Sequence, residues 1–470
     1  MSFKKKQIWQ SWSFRSSLIW LKNLFSSFAF YVKLVFVVVF IWVIFYFSTF
    51  AIDFWKNLLK DVSFFVVNTV SSNFWEEMEK DDFWQINALI LGYDDWYLAD
   101  SIMIASYDPA LWSVSFLSIP RDLYVSNSEI WYNWRVNWIL PTVYRSTWNL
   151  SDWLTSLIDT VEKITWVHVD YYALIDFDWF VNLVDSVWWI DIDVPERLYD
   201  NKYPTPDWWY QTFVVEEWKQ TFDWDKALKY ARSRQTTSDF SRSFRQQLII
   251  EALVDEIIST RNIANVSNLQ NLYWEFTSML DTNISFRQML WAVNYVTDLN
   301  YFHNSVLTAD CDRSYFETTD VWCFLYYPRR ELFWWSSVLL QEWASENNIA
   351  NYSSIHNFSF MFLHNQAYLI ESAEILIKNW VERSKLIQEY WRSEPIANNL
   401  WIELKKYWFN VVDVENSDSE YEKTTIYISD EDSFSSTINL LKMFFSFDTV
   451  VDEDLDSDIE IILWESFISS

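Results

Sequence analysis

The sequence predicts an α/β protein with a largely parallel or mixed sheet, followed by a small α+β domain and preceded by one transmembrane helix. Two observations carry the α/β prediction. Short apolar runs at 87–91, 101–106 and 113–119 have the length of strands. Residues 190–194 alternate with period two, and a helical pattern covers 240–259. Strands that alternate with helical segments are typical of an α/β domain.

The N-terminus has the pattern of a membrane anchor. Residues 1–33 contain six basic residues and no acidic one, and Leu34 to Ile52 then runs for 19 residues without a charge. That length spans a bilayer, whereas a secretory signal has a shorter apolar region and a small-residue cleavage site. The positive-inside rule keeps the basic tail in the cytoplasm. We therefore expect a single-pass protein of the cell membrane whose residues after Asp53 are exported.

The chain is strongly acidic, with 35 Lys and Arg against 65 Asp and Glu. Without the basic tail, 29 basic residues oppose 65 acidic ones, so the expected exported part has a net charge of −36. Such a surface repels nucleic acid, and we expect no nucleic-acid partner. Two cysteines exclude a disulfide scaffold, and an apolar content of 51% excludes a disordered chain.

The balance of glycine and tryptophan is abnormal, because the chain has one Gly and 33 Trp. Glycine normally makes up about 7% of a protein, or about 33 residues at this length. A chain of helices and strands needs glycine where the backbone adopts positive φ. We hypothesise that the gene comes from a bacterium that translates UGA as glycine. The Trp letters would then stand for Gly.

The same patterns divide the chain into six segments. Within the last segment, strand-like runs at 374–379, 409–414, 424–429 and 459–463 surround a helical stretch near 384–407. The segments are a cytoplasmic basic tail at 1–33, a transmembrane helix at 34–52, a stalk at 53–85, the main α/β domain at 86–305, an irregular extension at 306–371 and the small α+β domain at 372–466.

Four arginines fall within 14 positions of a domain that otherwise has few: Arg232, Arg234, Arg242 and Arg245. Planar guanidinium groups suit phosphate oxygens. Arg242 and Arg245 share a helix face with Gln246, and Asp239 lies where this helix should begin. The cluster indicates an anion site, with surface salt bridges to nearby acids as an equal alternative.

A second group of charged residues lies at predicted strand ends, where α/β sheets usually build their sites. Arg121 follows the strand at 113–119, and Asp94, Asp95 and Asp100 surround the turn between the first two strands. Carboxylates beside arginines suit Mg²⁺ shared with phosphates. Turn formation explains the same aspartates equally well.

Four stretches together resemble the LytR-CpsA-Psr (LCP) family of cell-envelope phosphotransferases over residues 86 to about 305. They are LGYDDWYLADSIMIASYDP, LSIPRDLYV, WVHVDYYALIDFDWFVNLVDSVWWIDIDVP and EEWKQTFDWDKALKYARSRQTTSDFSRSFRQQLI. The C-terminal segment resembles the small LytR C-terminal domain. The resemblance implies a three-layer α/β/α main domain. Six tryptophans stand where the family usually has Gly: Trp166, Trp179, Trp188, Trp189, Trp218 and Trp224.

The resemblance implies transfer of a glycopolymer from a polyprenyl pyrophosphate carrier to a hydroxyl of peptidoglycan, with Mg²⁺ bound to the pyrophosphate. It also implies that the polyprenyl tail needs an apolar slot, which we expect between the sheet and a covering helix layer. The open alternatives are a non-catalytic module that binds polyprenyl phosphate or glycan, and a pyrophosphatase that acts on the same lipid.

The resemblance also assigns roles by position. Asp100 and either Asp94 or Asp95 match the metal-binding acids, and Asp239 is the candidate general base. Asp100, Arg121 and Asp239 are the predicted catalytic residues. The predicted pyrophosphate ligands are Arg121, Arg232, Arg234, Arg242 and Gln246.

Overall fold

A computed structural model describes residues 76–94, 97–147, 150–176, 189–205, 209–233, 239–259, 281–296, 299–309, 323–345, 348–380, 396–417, 423–445 and 448–464. The chain divides into Met1–Trp75 and a second compact unit, Glu76–Ser470. The predicted transmembrane helix at 34–52 lies outside the described residues. Within the described ranges, no helix is both long and apolar enough to cross a bilayer.

The strands of the described residues are numbered in chain order. They are β1 (Ile86–Tyr93), β2 (Ala99–Asp108), β3 (Ser113–Ser118), β4 (Tyr124–Asn127), β5 (Tyr132–Arg135), β6 (Tyr171–Ile175), β7 (Ile190–Val194), β8 (Leu198–Pro204), β9 (Tyr210–Val215), β10 (Trp218–Phe222), β11 (Asp281–Thr282), β12 (Tyr301–Val306), β13 (Leu325–Tyr326), β14 (Leu340–Gln341), β15 (Ile375–Asn379), β16 (Val411–Asn416), β17 (Thr425–Ile428), β18 (Asp448–Val451) and β19 (Ile459–Leu463).

The α-helices are numbered in the same way. They are α1 (Ile139–Thr147), α2 (Leu150–Thr165), α3 (Trp224–Arg232), α4 (Asp239–Ser259), α5 (Phe286–Val296), α6 (Ser353–Ser359), α7 (Ala367–Glu371), α8 (Ile396–Lys406) and α9 (Ser435–Phe444). Short 3-10 helices cover Val136–Trp138 and Arg330–Phe333, and a π-helical turn covers Phe360–His364.

Six strands form the central sheet, in the order β11-β6-β1-β2-β3-β12. β1 pairs antiparallel with β2 and parallel with β6, while β3 pairs antiparallel with β2 and parallel with β12. β11 is antiparallel to β6. The prediction of a mixed α/β sheet is therefore confirmed.

Successive side chains of a strand point to opposite faces of a sheet, so each face of this sheet carries its own set of residues. Both faces are covered by helices. On one face, Leu89 and Ile104 pack into a core that includes Leu157 of α2. On the other face, Met103 and Phe116 pack near Ile250 of α4. The central sheet thus lies between two helical layers.

Two separate two-stranded sheets precede α3 in the chain. β7 pairs with β10 and β8 with β9, both antiparallel. Their apolar side chains, including Ile190 and Phe222, form a separate core with Tyr230 of α3 and Ile249 of α4. This core packs the end of α3 against the middle of α4.

Residues 76–85, the described end of the expected stalk, contact the main body of the unit. The Asp81 carboxylate accepts hydrogen bonds from the Gln85 amide at 3.0 Å and from Asn87 Nδ2 at 2.7 Å. Asp81 also lies 3.4 Å from Nδ1 of the buried His364. These ten residues belong to the compact unit.

The C-terminal segment contains a second sheet with the order β16-β15-β19-β17-β18. Among the described residues of this segment, the helices are α8 and α9. Ile377 of β15 and Ile461 of β19 belong to the same buried cluster as Leu117 of the central sheet and Phe358 of α6. The two sheets therefore share a continuous apolar core.

Tryptophan occupies most of the left-handed backbone positions of the described residues. Eleven non-glycine residues there have positive φ, and nine of them are Trp. At the end of α8, the Trp408 amide donates to the Lys405 carbonyl at 3.0 Å and the Phe409 amide to the Leu404 carbonyl at 3.1 Å. This is the Schellman pattern, whose left-handed residue is usually Gly. The nine are Trp84, Trp112, Trp131, Trp166, Trp218, Trp334, Trp335, Trp343 and Trp408.

Candidate functional site

The loop between β1 and β2 carries the first predicted site residues. Asp94 follows β1 directly, and its Oδ1 accepts a hydrogen bond from the Leu98 amide at 3.0 Å. Its own amide donates to the Leu98 carbonyl at 3.2 Å. Asp94 thus stabilises this turn, as the turn-forming alternative expected, while Asp95 lies outside the described residues.

Asp100 and Arg121 come together because the β2–β3 register continues past the end of β3. Met103 lies opposite Ser118, and the Ile119 amide donates to the Ile102 carbonyl at 2.8 Å. The next residues along each strand place the Arg121 guanidinium in an ion pair with the Asp100 carboxylate. The two side chains are 20% and 29% exposed, so solvent screens the pair only partly.

Arg121 also lies beside a second ion pair. Its Nε is 4.0 Å from Asp122 Oδ2, and Arg135 Nη1 of β5 is 2.8 Å from Asp122 Oδ1. Two guanidinium groups and two carboxylates therefore alternate at this end of the sheet. Such a network holds Arg121 in a defined orientation.

Arg242 of α4 reaches the same point from the opposite side of the sheet. Its Nη2 donates to the Asp100 carbonyl at 3.0 Å, and the residue is 4% exposed. Asp100 is thus held through its carboxylate by Arg121 and through its backbone by Arg242. The structure brings these three predicted residues together.

Arg245, the fourth arginine of the predicted cluster, has a different position. It is 4% exposed, and its guanidinium donates to the carbonyls of Tyr230 and Ser233 at the end of α3. The last carbonyls of a helix lack hydrogen-bond donors within the helix, and Arg245 donates to two such carbonyls here. Among its described contacts, Arg245 holds α3 and not an anion.

Gln246 and Gln247 also link α4 to its neighbours. Gln246 Nε2 donates to the Ala231 carbonyl at 3.4 Å. The fully buried Gln247 Nε2 donates to the carbonyls of Phe116 and Ser305 at 3.2 and 2.7 Å. Sequence reasoning missed Gln247, and its only signal was a polar residue on the apolar side of the helix pattern.

The remaining predicted residues lie around the α3–α4 connection. Arg232 is the exposed last residue of α3, and its charge partly opposes the rise that burial causes in the Tyr203 pKa. Asp239 is the first residue of α4, but its side chain lies outside the described part of the structure. Arg234 lies wholly outside it.

The arrangement suits an oxyanion with a high charge density. A guanidinium has five N–H donors, so Arg121 can hold Asp100 and phosphate oxygens together. Within the described residues, no group of three or more His, Cys, Asp or Glu side chains could hold a metal by itself. Mg²⁺ is commonly bound through one or two carboxylates plus substrate phosphates, and Asp94 and Asp100 at one hairpin end fit that donor set.

The family model described as the LytR_cpsA_psr family matches residues 66–323, which is more than half of the chain. The chain belongs to the LytR_cpsA_psr family. All predicted site residues fall within the matched range.

Among curated relatives, this LytR_cpsA_psr protein is 26% identical over 218 residues to the polyisoprenyl-teichoic acid–peptidoglycan teichoic acid transferase TagV of Bacillus subtilis (strain 168). The match covers 44% of this chain and 51% of TagV. This chain is also 30% identical over 167 residues to the probable cell wall biosynthesis protein LcpB of Corynebacterium glutamicum. That match covers 35% of this chain and 36% of LcpB. The chain spans about half the length of the first of these relatives.

Among solved structures, the crystal structure of B. subtilis TagV aligns with a TM-score of 0.45 and 20% identity. The alignment covers 61% of this LytR_cpsA_psr chain and 98% of the TagV chain.

Proposed function

We propose that this protein is a membrane-anchored phosphotransferase that moves a glycopolymer from a polyprenyl pyrophosphate carrier to peptidoglycan. The observation that carries the proposal is the meeting of Asp100, Arg121 and Arg242 at one end of the central sheet. Family membership and curated relatives named as teichoic acid transferases support the same reaction.

The arginines bind and orient the donor. Arg121, Arg232, Arg234 and Arg242, with Gln246, hold the pyrophosphate oxygens and balance their charge, because phosphoryl transfer depends mainly on positioning and charge neutralisation. Asp94 and Asp100 would hold Mg²⁺, which would neutralise further charge on the pyrophosphate. Asp100 also keeps Arg121 oriented through their ion pair.

The chemical step exchanges a phosphoanhydride bond for a phosphoester bond. The acceptor hydroxyl oxygen forms a bond to the phosphorus next to the sugar, and the bond from that phosphorus to the bridging oxygen breaks. Polyprenyl monophosphate leaves. The proton of the acceptor hydroxyl passes to the Asp239 carboxylate, which acts as general base.

An assay with both substrates tests the proposal and its alternatives. Protein mixed with a lipid pyrophosphate-linked sugar and peptidoglycan fragments should release polyprenyl monophosphate and join the sugar phosphate to the fragments, and EDTA should stop both. Monophosphate release without joining would favour the pyrophosphatase. Tight donor binding without turnover would favour the non-catalytic envelope module.

The flanking segments belong to the same proposal. Residues 34–52 anchor the protein in the cell membrane with the N-terminus in the cytoplasm, which keeps the exported site beside its lipid-borne donor. Residues 372–466 form a LytR C-terminal-like domain. The five-stranded sheet and the two helices that the structure describes in this range support an α+β unit.

We further propose that the Trp letters stand for Gly. Nine of the eleven positive-φ residues other than glycine in the described ranges are Trp, a conformation that glycine alone adopts without a steric penalty. Several of these side chains are also highly exposed, with Trp131 at 93% and Trp334 at 85%. An apolar ring that stays in solvent contributes no free energy of burial, whereas glycine at such a position allows the backbone to turn.

A further inference from the structure

A buried carboxylate lies next to the end of α3. Asp200 of β8 is 1% exposed. Its Oδ2 accepts a hydrogen bond from Ser233 Oγ at 2.6 Å, and its Oδ1 accepts one from the Lys202 amide at 2.9 Å. Burying a charged group is costly unless its hydrogen bonds are made. The hydrogen bond from Ser233 therefore helps to offset the cost of burying the Asp200 carboxylate.

Ser233 is the point at which the chain leaves α3. It directly follows Arg232, and it is 1% exposed. Its hydroxyl is held by Asp200 of β8, while its carbonyl is held by Arg245 of α4. Two different elements thus fix a single residue next to a predicted pyrophosphate ligand.

Arg245 connects this point to the other half of the site. Its Nε donates to the Tyr230 carbonyl at 2.9 Å, and its guanidinium lies 5.5 Å from the centre of the Tyr230 ring. One helical turn earlier, Arg242 holds the backbone of Asp100. A single face of α4 therefore joins the end of α3 to Asp100.

We infer that Asp200, Ser233 and Arg245 are positioning residues that set the place of Arg232 relative to Asp100, Arg121 and Arg242. The inference rests on the proposed function, in which Arg232 binds pyrophosphate. Asp200 and Ser233 act on the donor only through Arg232. Their effect should therefore vanish when the Arg232 guanidinium is removed.

A double-mutant cycle on the full-length protein tests this inference, with farnesyl pyrophosphate as the probe and titration calorimetry as the measurement. Ser233→Ala and Asp200→Asn should each weaken binding about tenfold, the factor expected for one lost hydrogen bond to a charged group. Ser233→Thr keeps the hydroxyl and should restore binding. The control Asp191→Asn removes an exposed carboxylate that bonds Thr221 Oγ1 on neighbouring β10 and should have no effect.

In the Arg232→Ala background, Ser233→Ala should add little further loss, because interacting residues are not additive. All titrations are made at a temperature where circular dichroism shows each variant fully folded. Full additivity, or unchanged affinity in folded Ser233→Ala protein, would overturn the positioning role while leaving the proposed function intact. Unchanged affinity in Arg232→Ala itself would overturn both the inference and the proposed role of Arg232.

Discussion

Asp100 shows how single residues shape the site. Its carboxylate is paired with Arg121, and its carbonyl accepts from Arg242. The sequence predicted all three residues as site residues, but it could not predict their contacts, which depend on strand register and on the packing of α4. Arg245 and Gln246 lie on the predicted helix face, yet they bond the end of α3.

Removing either of the guanidinium groups that contact Asp100 should weaken donor binding. Arg121→Ala and Arg242→Ala should each cost about 1.5–3 kcal/mol in the binding of a polyprenyl pyrophosphate, because the bonds they make to phosphate are charge-assisted. Arg234→Ala should cost the same if Arg234 is a pyrophosphate ligand. Calorimetric titration measures the change.

The matched control is Arg197→Ala. Arg197 Nε lies 3.0 Å from Glu216 Oε2, and both side chains are about half exposed. Its removal should leave donor affinity unchanged. Equal affinity in wild type, Arg121→Ala and Arg242→Ala would mean that the arginines only form salt bridges.

The proposed base has a kinetic signature. Asp239→Asn should slow turnover by about 10² to 10⁴ and leave donor binding nearly intact, since general-base assistance acts in the transition state. Single-turnover release of polyprenyl monophosphate measures the rate. Full activity of the variant would remove Asp239 as base.

The recoding proposal also belongs to single residues. Peptide mass spectrometry of the protein from its own cells should find glycine at positions 166, 188, 189, 224 and 408, because the backbone at 166 and 408 is left-handed and the other three match family glycines. Tryptophan masses at these positions would contradict the proposal.

At the scale of elements, apolar patterns predicted some strands well and others not at all. β1, β2, β3 and β19 contain short, mostly apolar runs and were predicted to within two residues of their ends. β8, with the sequence LYDNKYP, and the exposed edge strand β18 have no such run. Their pairing partners stabilise them, and a sequence pattern does not contain this information.

Strand β12 carries a histidine whose titration should affect stability. Burial lowers the pKa of His303 from 6.5 to about 4. The unfolded chain then binds the proton more readily than the folded chain. The contribution of neutral His303 to the free energy of unfolding is therefore complete above pH 6.5 and is lost as the pH falls toward 4. Urea unfolding at pH 7 and pH 4.5 should show a larger loss of stability in wild type than in His303→Gln. Equal losses would show that His303 does not contribute.

At the scale of the whole molecule, the shared core of the two sheets is the main feature. The sequence predicted two domains separated by an irregular extension at 306–371. In the structure α6 and the turn Phe360–His364 lie within that range, and their apolar residues belong to the core that both sheets share. These helices of seven and five residues are too short to give a clear period.

This continuous core should make unfolding cooperative. Far-UV circular dichroism and calorimetry should report a single thermal transition for residues 76–470. Removing residues 372–470 should lower its midpoint, because the core would lose buried side chains such as Ile377 and Ile461. Two separate transitions, or an unchanged midpoint in the shortened protein, would show that the sheets fold independently.

The left-handed tryptophans have a consequence for the movement of this gene between organisms. Trp84, with a φ of 67°, stands two residues before the first residue of β1. If its codon is UGA, a ribosome that treats UGA as a stop signal terminates at or before this position and makes none of the central sheet. Bacteria with the standard code would then inherit the gene without making the protein, so the intact site would spread only among lineages that translate UGA as glycine.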